Sequence, residues 1–202
     1  MKRSWAYRAV IFGGALALTS IAAAQSGIAT NSDSIPIDVQ RSVITIHVGK
    51  AGLLSMAAHE HWVNAPIASG TLRESPDPRV EFVVETTKMT VKPDAAIDAK
   101  TQATIQQHME EMTLEVKKFP EISFRSSRVD KLGEGEWKVE GSLSLHGVTK
   151  PIALTVKRAG EAYSAHTVLK QTDFGIKPIN IGGVITVKNE LDLDFQIFPR
   201  KS

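Results

Sequence analysis

Apolar and polar residues alternate in run after run of this chain, and that period of two constrains the fold more than any other feature. Ile44, Ile46 and Val48 alternate with Val43, Thr45 and His47, and Val80, Phe82 and Val84 with Glu81, Val83 and Glu85. Further on, Ile122 and Phe124 alternate with Ser123 and Arg125, Leu143 and Leu145 with Ser142, Ser144 and His146, and Ile152, Leu154 and Val156 with Ala153, Thr155 and Lys157. Strands that bury one face and wet the other carry this pattern. Turn-forming clusters separate the runs: SPDP at 75–78, KLGEGE at 131–136, HGVTKP at 146–151 and RAGE at 158–161. Runs and turns together predict about eight strands, near 37–48, 60–72, 79–90, 121–130, 135–146, 149–158, 161–173 and 184–198.

One stretch breaks the rhythm. Between Pro93 and Phe119, Ile105, Met109, Met112 and Val116 fall at helical spacing, which predicts an amphipathic helix between the third and fourth strands. Asp94 or Asp98 is placed to cap its start, and Pro120 ends the helical segment. An all-β chain with one helix and meandering strands predicts a closed up-and-down antiparallel barrel, with a sandwich as the alternative. A barrel of about eight strands has an interior that side chains fill, or that holds one small ligand where they do not.

The first residues, MKRSWAYRAVIFGGALALTSIAAAQ, set Lys2, Arg3 and Arg8 before an apolar run that ends in small residues, the form of a cleaved secretory signal peptide. Residues 1–24 are read as that signal, 25–36 (QSGIATNSDSIP) as a flexible leader, and 37–199 as the folded domain. Without the signal the chain keeps 21 Lys+Arg against 22 Asp+Glu, a net charge of −1. Near-neutrality argues against a nucleic-acid partner. The chain has no Cys, which excludes disulfides, thiolate zinc sites and thiol catalysis. An exported, soluble protein without a membrane span after signal removal is expected.

The segments FPEISFRSSRVD (119–130), HGVTKP (146–151), LKQTDFGIKP (169–178) and GGVITVKNELDLDF (182–195) stand in an order and spacing that resembles the YceI family of exported lipid-binding proteins. The resemblance covers about Ile37 to Phe198 and departs where the family has a basic RHLG-like stretch and this chain has AAHEHWVNAP (57–66). It implies an eight-stranded, lipocalin-like barrel in the periplasm. It also implies an apolar tunnel for a polyisoprenoid, a quinone tail or a fatty-acid-like lipid. No cofactor is required, and a homodimer is an open assembly.

Individual motifs read first as structure. In HGVTKP, Gly147 tolerates a positive φ, Pro151 opens the next strand and His146 is a turn former. In QTDFGIKP, Asp173 and Gly175 shape a turn. His59 and His61 share one face of an extended strand and form the alternative reading, a metal-binding or metal-dependent centre that needs a further ligand from His108, Glu111 or His146. No G-x-S-x-G, Walker, Rossmann or H-E-x-x-H motif is present. The expected function is therefore non-enzymatic: a carrier whose interior binds a long-chain amphiphile. Its expected lining is Phe82, Val84, Met109, Met112, Phe124, Trp137, Leu143, Leu145, Phe174 and Phe195, with Trp62 at the mouth.

Overall fold

A computed structural model describes residues 33–51, 60–181 and 185–201. The expected signal peptide, most of the leader, and His59 lie outside the described residues. The strands are β1 (Ile35–Pro36), β2 (Val43–Ala51), β3 (His61–Pro66), β4 (Ser69–Arg73), β5 (Arg79–Glu85), β6 (Thr90–Val91), β7 (Glu121–Gly133), β8 (Glu136–Leu145), β9 (Val148–Ala159), β10 (Ala162–Lys170), β11 (Asn180–Ile181) and β12 (Ile185–Ile197). Eleven of them run in one hydrogen-bonded order, β1-β4-β5-β7-β8-β9-β10-β12-β2-β3-β6, and β11 pairs with β12 outside it. Each pairing is antiparallel.

The expected count of eight is corrected to eleven in this order, and the difference comes from kinks. Run 60–72 breaks at Ile67 and Ala68 into β3 and β4; run 79–90 breaks at a tight turn, Thr86–Lys88, into β5 and β6. The first run begins as β1, with Ile35 and Pro36 opposite Leu72 and Thr71, and resumes as β2 after a turn. These kinks follow from tight curling, because a continuous, evenly pleated strand cannot turn a corner. The stretch 61–73 pairs with β2 through its first half and with β5 through its second. The sheet thus curls, with one kinked piece of chain joining β3 and β4, which stand beside opposite ends of the order.

Alternation becomes an inside and an outside. On β12, Leu193, Phe195 and Ile197 are buried while Asp194 and Gln196 are exposed. Buried hydroxyls of the sheet region have partners: Ser126 Oγ accepts from Val80 N at 2.9 Å, and Thr86 Oγ1 donates to Phe119 O at 2.9 Å. Gln171 Nε2 donates to Lys188 O at 2.8 Å.

Helix α1 (Ala99–His108) stands between β6 and β7, as expected. Asp98 caps it by accepting from Lys100 N and Thr101 N, both at 3.0 Å, and from the Thr101 hydroxyl at 2.6 Å. The Thr101 hydroxyl, more than any other neighbour, holds the Asp98 carboxyl below its ordinary pKa. The helix covers the edge of β6, whose N–H and C=O groups lack a strand beyond them. Gln106 accepts from Val91 N at 2.8 Å and donates to Met89 O at 2.9 Å, and Gln102 donates to Val91 O and Lys92 O.

Gly141 on β8 lies beneath the Phe124 ring. A Cβ there would sit 2.5 Å from both Phe124 Cζ and Arg125 O. Gly141→Ala is therefore expected to cost about 1–3 kcal/mol through overpacking, read as a lower urea midpoint at unchanged slope. The adjacent exposed substitution Ser142→Ala is expected to stay within about 0.5 kcal/mol.

Candidate functional site in the sheet interior

The inward faces of the strands do not fill the space they enclose. Three apolar chambers lie in series, of about 110, 90 and 170 Å³. The first and second share Phe82, Phe124, Leu154 and Phe195 as a common wall. The second and third share Ile46, Met89, Leu114 and Leu191. Aromatic contacts make the first partition: Phe82 lies 5.5 Å from Phe124 and 6.3 Å from Phe195, centroid to centroid. Rings at such separations prefer offset or tilted arrangements over a face-to-face sandwich.

Most of the expected lining residues meet in these chambers. Phe82, Phe124 and Phe195 border the first and second; Trp137 borders the first; Val84, Leu143, Leu145 and Phe174 border the second; Met109 borders the third. Two expectations are corrected. Met112 is 63% exposed, because the helix passes into a wider π-helical turn, Met109–Thr113, whose larger residue count per turn rotates Met112 off the face of Ile105 and Met109. Trp62 is 43% exposed on the outer side of β3, stacked on the His47 ring at 4.5 Å, and borders none of the three chambers. Tyr163, Ala165 and Leu169 on β10 are lining residues that sequence reasoning missed, although their period-two spacing in AYSAHTVLK carried the signal.

Charge collects at the rim of the first chamber. Arg73 and Arg79 converge on Asp77 at 2.7 Å each. Tyr163 donates to Glu74 Oε1 at 2.6 Å, and Arg158 Nη1 lies 3.3 Å from the same oxygen. Desolvation first, and then Glu74, push the Tyr163 phenol up to about 12.

The histidines are dispersed. His61 and His108 both border the third chamber. On the outer face, His47 Nε2 meets Glu60 at 3.0 Å, and His166 Nδ1 meets Asp194 at 2.9 Å. Among the described residues, no group of three or more His, Asp or Glu is arranged to hold a metal ion. His146 does more than form a turn. Its backbone (φ 52°) and that of Gly147 (φ 75°) are left-handed, and its ring turns to Glu115, with Nε2 2.8 Å from Oε2. That contact is short enough for an ion pair but is not aligned as a hydrogen bond. Asp173 lies within the turn Gln171–Phe174, which Gly175 (φ 74°) closes, and sits 3.7 Å from Lys150 Nζ at the surface.

Tyr163 gives the rim a titratable reporter. In a chain beginning at residue 25 it is the single tyrosine, and its phenolate absorbance is expected to rise with a midpoint near 12, moving down towards the ordinary 10 in Glu74→Ala. Because the folded value lies above the unfolded one, this group's contribution to stability is intact below pH 10.0 and is lost as the pH climbs to about 12. A flat stability profile over that window would contradict the assignment.

Comparison with known proteins agrees with this geometry. A match to the YceI-like domain covers residues 36–198. A UPF0312 protein of Pseudomonas putida (strain W619) is 35% identical over 126 residues, covering 52% of this chain and 63% of that protein. One from Pseudomonas savastanoi pv. phaseolicola is 32% identical over 130 residues, covering 54% and 66%. The matched part thus spans less than two thirds of these relatives' own length. Among solved structures, a polyisoprenoid binding domain from Saccharophagus degradans implicated in plant cell wall breakdown superposes with a TM-score of 0.57 at 14% identity, over 84% of this chain and 99% of that one. Burkholderia cenocepacia BcnA superposes with a TM-score of 0.55 at 13% identity, over 81% and 99%. At such identities the superpositions speak for the fold alone. The domain match over residues 36–198 establishes that this chain belongs to the YceI-like domain family.

Proposed function

We propose that the chain is a non-enzymatic carrier, exported to the periplasm, whose curled sheet works as a closed, lipocalin-like barrel around one long-chain amphiphile. The kinked strands correspond to eight stretches of chain around that barrel. The cargo class is a polyisoprenoid, a quinone tail or a fatty-acid-like lipid, and no cofactor takes part.

The observation that carries this reading is the row of three apolar chambers sharing side-chain walls from the Tyr163 rim to the His61 and His108 end. A solid core has no use for unfilled apolar volume, since each void forfeits packing contacts. An elongated chain restores those contacts. Burying ten methylenes at about 0.8 kcal/mol each gives roughly 8 kcal/mol before ordering costs, which corresponds to about micromolar affinity. The polyisoprenoid-binding domain among the structural neighbours supports the cargo class.

Protein isolated from the periplasm under native conditions is expected to release a long-chain amphiphile on organic extraction, detected by mass spectrometry. Repeated extraction without one would count against the reading. With purified protein and cis-parinaric acid as fluorescent probe, Ala165→Phe, which fills the first chamber, is expected to weaken binding by about ten-fold or more, equivalent to about 1.4 kcal/mol. Trp62→Ala, on the outer face, is expected to change it by less than about two-fold, as suits a side chain that makes no contact with the cargo.

A further inference from the structure

Helix α1 and the turn after it cover one end of the interior. Ile105, Met109, Thr113 and Leu114 wall the third chamber, and Thr113 and Leu114 also wall the second. The cover is tied down at two places. Towards its start, Gln102 and Gln106 bind the edge of β6. Towards its end, Glu115 reaches across to His146 in the β8–β9 turn.

The second tie is unusual. Glu115 (φ 45°) and His146 (φ 52°) are the two non-glycine residues with left-handed backbone among the described residues, and they are each other's partners. A side chain with a Cβ disfavours that conformation. The two-residue β8–β9 turn holds His146 and Gly147 there, and Glu115 stands just past the helical segment that ends at Thr113. The His146 side chain is 12% exposed, and its Nε2 has Glu115 Oε2 as neighbour without hydrogen-bond alignment. Phe119 closes the remaining side: its ring lies 4.2 Å from the imidazole, and a Cβ on Gly147 would come within 2.7 Å of it. Glu115 O accepts from both Lys118 N and Phe119 N, so the strained residue also organises the turn into β7. Leu114, next to Glu115, is the residue that enters the wall between the second and third chambers.

We propose that the Glu115–His146 contact is a latch on this cover: it holds residues 99–115 across the end of the interior, and an apolar chain enters or leaves at that end when it is broken. The proposal rests on the carrier reading. Its physical basis is a near balance. The contact links the Glu115 carboxylate, 42% exposed, to an imidazole that is 12% exposed, while breaking it lets the Glu115 backbone leave the left-handed region; His146 and Gly147 stay left-handed, as the two-residue turn between Leu145 and Val148 requires. The closed and open arrangements therefore differ less in free energy than for an unstrained pair. Phe119 and Thr86 remain joined through Thr86 Oγ1 to Phe119 O, so the base of the cover stays fixed while the part before it is freed.

Two variants test it. Glu115→Gln keeps shape and removes charge; His146→Asn keeps a residue that tolerates left-handed backbone and removes the ring. Amide hydrogen exchange is read by mass spectrometry with peptide resolution, and cis-parinaric acid release by stopped-flow fluorescence. Both variants are expected to exchange residues 99–115 about ten-fold faster than the parent while β7, β8 and β9 keep their rates, the mark of local and not global opening. Probe release is expected to speed up by a similar factor of about ten, and loading with it. Faster exchange confined to 145–149 with the cover unchanged would overturn the latch and leave His146 a turn residue. Unchanged release despite a faster-exchanging cover would equally overturn it, because the chain would then pass elsewhere. Should the parent protein bind no probe, the carrier reading fails, and the exchange of 99–115 still decides whether the pair holds the cover.

Discussion

Ile67 and Ala68 join strands that stand at or beside opposite ends of the hydrogen-bonded order, and the rest of the architecture depends on that covalent link. β3 pairs with β2 and β6, and β4 with β5 and β1. Two residues cannot span the width of an open sheet, so the sheet has to curl until β3 and β4 run nearly end to end. Ile67 is 2% exposed, and Ala68 N donates to Val83 O at 2.8 Å, so the kink is packed and hydrogen-bonded. Curling converts a two-faced sheet into an inside and an outside. The edge at β6, which would otherwise template aggregation, is covered by α1.

The size of the interior follows from the side chains that point inward. Branched aliphatic residues and four Phe rings are too few, and too separated by Ala65 and Ala165, to fill the enclosed space. Partitioned hollows remain where a shorter sheet would have made a solid core. The partitions are side chains, not backbone, and side chains change rotamer at small cost compared with breaking a ladder. Few polar groups face the interior, among them Thr113 and Gln171, whose amide is committed to Lys188 O. Binding in such a space draws on desolvation and shape, which suits long apolar molecules and gives little discrimination among their head groups.

Much of this was legible in the sequence because period two carries both strand and face: Phe82, Phe124, Leu143 and Phe195 could be assigned to the interior from alternation, and Asp98 caps the helix as expected, while the helical segment ends at Thr113, ahead of Pro120. Other features depend on tertiary context. The kink at Thr86–Lys88 has no glycine or proline to announce it, and Pro66 stands before the break at Ile67 without marking a change of partner strand; curvature of the whole sheet imposes both. Met112 shares helical spacing with Ile105 and Met109, yet one π-helical turn moves it to solvent. Trp62 is large and apolar but alternates in phase with the outer face, where His47 accepts it. The partner of His146 lies 31 residues away in a segment whose own backbone is strained, and no local pattern reports such a pairing.

The central claim is that the hollow inside the sheet, more than any reactive side chain, is the working part. A crystal structure of protein made in its exported form, purified without detergent or added lipid, tests it most directly. Continuous elongated density running through the chambers, past Phe82, Phe124 and Phe195, is the expected result. Side chains collapsed across all three chambers, leaving no room for a chain, would contradict it.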